Sequence, residues 1–128
     1  MGKLATPLPT YKPFILRALI EIDGPATVFM LEDMFPDISP RALRANIQRL
    51  VAEADIEERD FKKEGINPLE YISSNNTIPK VFYVVTPRGL NKYNYYKKKG
   101  VYNITFEELR EKWRELHQHK LEMARKKE

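Results

Sequence analysis

Two dipeptides frame this chain: Ser39-Pro40 and Thr86-Pro87 each set a hydroxyl that can accept a backbone N–H directly before a proline. Such a pair starts a helix strongly, because the hydroxyl caps a free N–H and the proline ring presets φ where its missing N–H costs nothing. Helices therefore begin at 40 and 87, and the chain between them must leave one and arrive at the other. Residues 56–61 (IEERDF) drop the helical period and carry β-branched and aromatic ends, which reads as a strand. Residues 80–85 (KVFYVV) read as a second strand, buried on most of both faces. Between them Gly65, Asn67-Pro68, Ser73, Ser74, Asn75, Asn76 and Pro79 dictate a long loop over 62–79, with room for one helical turn after Asn67.

Upstream of this frame, Pro13 opens a helix whose Phe14, Ile15, Ala18, Leu19 and Ile22 keep the 3.6-residue period until Gly24-Pro25. Thr27 caps a short second helix over 28–35. On the third helix, steps of 100° gather Leu43, Ile47, Leu50, Val51 and Ala54 in one sector and Arg41, Ala45, Gln48, Arg49 and Ala52 in the opposite one. One face belongs to a core; the other is cationic and small. Downstream, the helix from 87 runs to Lys99 and stops at Gly100, and Thr105 with Glu108 forms a capping box for a final helix from 106 to about 126. The expected fold class is α+β, mostly α, with an irregular arm over 1–12, a body over 13–100 and a C-terminal helical segment over 101–128.

Composition narrows the function classes. A chain of 128 residues with 42% hydrophobic and 31% charged side chains has the material for one core and is not a disordered composition. The absence of cysteine excludes disulfides, thiol nucleophiles and cysteine-based metal sites, and nothing approaches the ~18 apolar residues of a membrane span. A cytoplasmic protein without membrane partner is expected. His117 and His119 diverge by about 200° on a helix and cannot share one ion, so no metal is expected. Phosphate loops, nucleophile elbows and zinc-protease motifs are missing, which points away from an enzyme and from any cofactor.

Charge is where the sequence becomes specific. The net charge is +4, yet residues 80–106 hold Lys80, Arg88, Lys92, Lys97, Lys98 and Lys99 with no carboxylate, interleaved with Tyr83, Tyr93, Tyr95, Tyr96 and Tyr102. Cations with aromatic neighbours and no acid suit a phosphate-bearing partner. The final helix carries Phe106, Leu109, Trp113, Leu116 and Met123 at spacings of 3, 4, 3 and 7, a coiled-coil-like seam with Lys120 at one seam position. Twenty-one residues extend ~30 Å, so part of this helix should project and find a partner, which favours a homodimer.

The order helix, short helix, turn, helix, strand, loop, strand is similar to that of winged helix-turn-helix proteins. The segment PRALRANIQRLVAEADIEE (40–58) resembles their recognition helix running into the first wing strand. YVVTPRG (83–89) resembles the tyrosine, apolar, threonine, x, x, glycine signature that ends the second wing strand in MarR-like and PadR-like repressors. The resemblance covers about residues 13–99; Asp55 stands where those families usually have glycine, and the 62–79 loop is longer than an ordinary wing. It implies a two-stranded wing, double-stranded DNA as partner, and Ser39, Arg41, Arg44, Ala45, Gln48 and Arg49 facing the major groove. Arg41 and Gln48 suit guanine and adenine edges respectively, whereas Arg49 suits phosphate. Lys80 and Arg88 near the wing, with Lys97, Lys98 and Lys99 at the end of the fourth helix, are the expected phosphate contacts. The expected role is that of a dimeric transcriptional regulator, a repressor; a replication-control protein of a plasmid or virus uses the same parts, and a protein-interaction module on the same scaffold is the alternative from another class.

Overall fold

The computed structural model describes residues 11–126, apart from the side chains of Phe106, Trp113, Leu116, His117 and Lys120. The arm expected over 1–12 therefore falls almost wholly outside the described residues. The chain is mostly helical, with a small two-stranded antiparallel sheet.

Helix α1 (Lys12–Ile22) begins with Pro13 in its first turn and buries Phe14, Ile15, Leu16, Ala18 and Leu19. Helix α2 (Val28–Met34) is capped by Thr27, whose hydroxyl accepts the Met30 N–H at 3.2 Å, and buries Leu31 completely. Helix α3 (Pro40–Ala52) is capped by Ser39, which accepts the Ala42 N–H at 3.1 Å. Its Leu43, Ile47 and Leu50 are fully buried. Each such side chain contributes about 1.5–3 kcal/mol by leaving water, so the inward sector of α3 anchors it firmly.

Strand β1 (Ile56–Asp60) pairs antiparallel with β2 (Val81–Val85), in a register running from Ile56 opposite Val85 to Asp60 opposite Val81. On its other side Tyr83 exchanges backbone hydrogen bonds with Ala26, at 2.8 and 3.3 Å. β2 is thus flanked on both edges, and its neighbours Phe82 and Tyr83, which point to opposite faces, are both buried while Val81, Val84 and Val85 are half-buried. Phe61, expected to end the first strand, instead opens a one-turn helix α4 (Phe61–Glu64) capped by the Asp60 carboxylate and closed by Gly65 at φ 69°. The turn expected after Asn67 is present as a 3₁₀ turn over Pro68–Tyr71. The long loop is closed by the Phe61 N–H to Lys80 carbonyl bond and by Phe61 packing on Phe82 and Tyr71.

Helix α5 (Pro87–Lys98) is followed by a 3₁₀ turn over Val101–Asn103 and by α6 (Phe106–Lys126). Thr105 caps α6 by accepting the Glu108 N–H and donates its own proton to the Glu108 carboxylate, both at 3.1 Å. The first turn of α6 belongs to the body: Leu109 is fully buried in the main core cluster, and Arg110 pairs with Asp37 at 2.7 Å. Every described side chain of α6 beyond Arg110 is exposed. Among the described residues no helix is long and apolar enough to cross a membrane.

Candidate nucleic-acid interface

The end of α3 departs from the sequence expectation. Ala54, expected in the apolar sector, has left the helix and adopts the left-handed region at φ 62°, exposed to solvent. Its N–H bonds to the Val51 carbonyl, and the Asp55 N–H reaches back to the Leu50 carbonyl at 2.9 Å, the paired bonds of a helix stop that normally favours glycine. The stop turns the chain directly into β1 and delivers Asp55 into the interior.

The T-x-x-G motif at the start of α5 locks that turn. The Thr86 hydroxyl donates toward the carbonyls of Ala54 and Asp55, at 2.6 and 3.0 Å, and accepts the Gly89 N–H at 3.1 Å. The Thr86 N–H adds a bond to the Asp55 carbonyl. The α3–β1 junction is thus held by the element that starts α5, which fixes α3 relative to the sheet.

Ionic contacts reinforce the same corner. Glu53 at the C-cap of α3 accepts from Lys12 at 2.8 and 2.9 Å and from Lys92 at 3.1 Å. Hydrogen bonds from Lys12 and then Lys92 hold its carboxyl down at about 2. The same contact, led by the bond to Glu53, raises the Lys92 ammonium above its ordinary value. Asp55, with a fully buried side chain, faces Lys92 at 3.4 Å and Arg88 at 3.7 Å, and neither of its carboxylate oxygens accepts a hydrogen bond among the described residues. This clasp ties α1, α3 and α5 through partners about forty positions apart, so no local pattern announces it.

The outward sector of α3 is as the periodicity predicts. Arg41, Arg44, Ala45, Gln48, Arg49 and Ala52 are exposed. The side chains of Arg41, Gln48 and Arg49 make no hydrogen bond or ion pair among the described residues. Ser39 is exposed but its hydroxyl is already committed to capping. Arg44 diverges from the others and reaches Glu32 on α2 at 3.7 Å, and its charge also pulls on Tyr83. The Tyr83 hydroxyl, which donates to Glu58 at 3.1 Å, is pushed up to about 12 by burial first and by the Glu58 charge next.

The cations of 80–99 do not act as one field. Lys92 is neutralised inside the clasp, and Arg88, though 70% exposed, leans toward Asp55. Lys80 is exposed beside the loop, and Lys97, Lys98 and Lys99 stand exposed at the C-terminal end of α5, next to the 101–103 turn rather than on α3. Cations there also complement the helix dipole. Strand β1 turns Glu57 and Glu58 outward, an acidic contribution that the wing comparison did not foresee.

Of the residues expected on a dimer seam, Leu109 has its contacts within its own chain and is not available to a partner. Met123 is 45% exposed and Leu121, not singled out from the sequence, 43%. The side chains of Phe106, Trp113 and Leu116 lie outside the described residues. His119 is exposed, and among the described residues no group of His, Asp and Glu could hold a metal ion. No protein-family model, curated protein or solved structure matches this chain.

Proposed function

We propose that this chain is a winged helix-turn-helix protein that binds double-stranded DNA through α3, acting as a homodimeric transcriptional repressor. The observation that carries the reading is the split of α3. Its inward sector is pinned by three fully buried side chains, while Arg41, Ala45, Gln48 and Arg49 face solvent with no intramolecular role. A rigid helix with unspent bidentate donors and a small residue between them fits the major groove, where arginine pairs with guanine and glutamine with adenine. The ion pair to Glu32 removes Arg44 from the best base readers. Lys80 remains the duplex phosphate contact in this reading, Lys97–Lys99 stand apart from α3 at the end of α5, and Glu57 and Glu58 keep β1 itself away from the backbone.

Dimerisation rests on α6, whose described side chains beyond Arg110 are exposed and which carries Leu121 and Met123 exposed on its distal half. Apolar groups on a projecting helix favour a second copy. Selection of bound sequences from a random duplex pool tests the proposal. An enriched inverted repeat is the expected result, with half-sites about one helical turn or a multiple of it apart. Recovery of no common sequence would overturn specific recognition and favour the alternative, a scaffold that contacts an acidic protein partner.

A further inference from the structure

At the C-terminal end of α5 the tyrosines and lysines form a surface that α3 does not share. Tyr95 is 55% exposed and packs on Tyr96 at a centroid distance of 6.0 Å, with the planes inclined by 59°. The Lys99 ammonium lies 5.7 Å from the Tyr95 ring centre, and Lys97 lies 5.2 Å from that of Tyr93. Behind this layer Tyr102 is fixed by its hydroxyl bond to the Pro13 carbonyl at 2.8 Å and by ring contacts to Phe14, Tyr93 and Tyr96. Arg17 covers Tyr102 and Phe14 from α1 and is itself paired with Glu21. The inner aromatics are therefore structural, whereas the exposed Tyr95 ring meets Tyr96 and the Lys99 ammonium and leaves more than half of its surface to solvent. Among the described residues Lys97, Lys98 and Lys99 pair with no carboxylate, and residues 80–106 contain none.

We infer that this end of α5 is a second nucleic-acid surface, which takes an unpaired DNA strand by stacking a base on Tyr95 and holding the adjoining phosphates with Lys97, Lys98 and Lys99. Duplex DNA hides its base faces, so an exposed ring gains nothing from it, whereas a single strand offers a base face and a phosphate together. Charge complementarity selects the polyanion. The choice of DNA over RNA rests on the proposed reading of α3; the surface itself does not.

Binding of a labelled oligothymidylate of about 16 nucleotides to the full chain, followed by fluorescence anisotropy across a salt series, tests the inference. Tyr95→Ala should weaken binding about 5- to 150-fold and Tyr95→Phe should retain it, since only the ring face is used. The triple change Lys97→Ala, Lys98→Ala, Lys99→Ala should lower the slope of log affinity against log salt by about 2, at ~0.7 per phosphate contact. Arg41→Ala should leave this affinity unchanged. Failure of the parental chain to bind the oligonucleotide, or equal binding by Tyr95→Ala, would overturn the inference while leaving α3 untouched. Equal loss from Arg41→Ala would return the strand to α3, and tighter binding of an oligouridylate would overturn the assignment to DNA.

Discussion

A Cβ added to Gly89 would lie 2.0 Å from the carbonyl oxygen of Asp55 and 2.9 Å from its carbonyl carbon. α5 and the α3–β1 turn thus approach closely enough to exclude any side chain, and the contact is backbone against helix, with no flexible group to yield. The same approach lets Thr86 bond both carbonyls of the turn, so motif and close packing are one device.

Gly89→Ala should therefore destabilise the fold by at least the ~1–3 kcal/mol typical of overpacking, because two backbone segments must separate. Thermal unfolding followed by circular dichroism reads the effect. A melting temperature equal to that of the parent would mean that the turn shifts freely and that the close approach is not a constraint.

Ala54→Gly should act in the opposite sense. Ala54 occupies φ 62°, where an alanine Cβ costs about 1–2 kcal/mol, and glycine relieves this at the expense of greater freedom in the unfolded chain. A net gain of roughly 0.5–1 kcal/mol in urea unfolding is expected. A loss of stability would show that the left-handed turn is not strained.

Arg41→Ala and Gln48→Ala should each weaken binding to a selected duplex by ~1–3 kcal/mol and relax base preference at one position per half-site. Both side chains are exposed, so the melting temperature should stay close to that of the parent. Equal losses on selected and random duplexes would show that α3 contacts only the backbone.

The Glu53 clasp should be sensitive to acid. Its folded-state carboxyl sits at about 2 against an ordinary value of 4.5, so the charged form is favoured by folding. A depressed acid contributes stability above its unfolded value and loses it as pH falls through the folded one, which sets the window between about 4.5 and about 2. Solvent reaches the pair, so the effect should remain within ~1 kcal/mol. The stability difference between the parent and Glu53→Gln should be constant near neutrality and shrink across that window; a difference independent of pH would rule out the carboxylate as its source.

Truncation should separate the two halves of α6. A chain ending at Glu111 keeps Tyr102, Leu109 and the Arg110–Asp37 pair and should fold as a monomer. A chain ending at Gly100 loses Leu109 from the core and should be less stable by about 2–5 kcal/mol or fail to fold. Light scattering at tens of micromolar that finds the full chain already monomeric would remove the distal helix from the dimer proposal.

The sequence alone determined where α2, α3 and α5 start and which face of α3 is buried, though not the turn of helix at Phe61 or the exit of Ala54 from the helix. Ser39, Thr86, Thr27 and Asn67 act on N–H groups within three residues, and Leu43, Ile47 and Leu50 share a face by helical geometry, so both are settled locally. The exposed sector of α3 was legible for the same reason. Tertiary structure decided the rest. Asp55 is buried because α5 closes over it, Glu53 is charged far below its usual range because Lys12 and Lys92 converge on it, and Tyr102 is anchored by a carbonyl 89 positions away. Leu109 lies on the same apolar stripe as Met123, yet the body buries one and leaves the other exposed. A periodic pattern states that a face is apolar; which surface covers it depends on groups distant in the chain and brought near by packing.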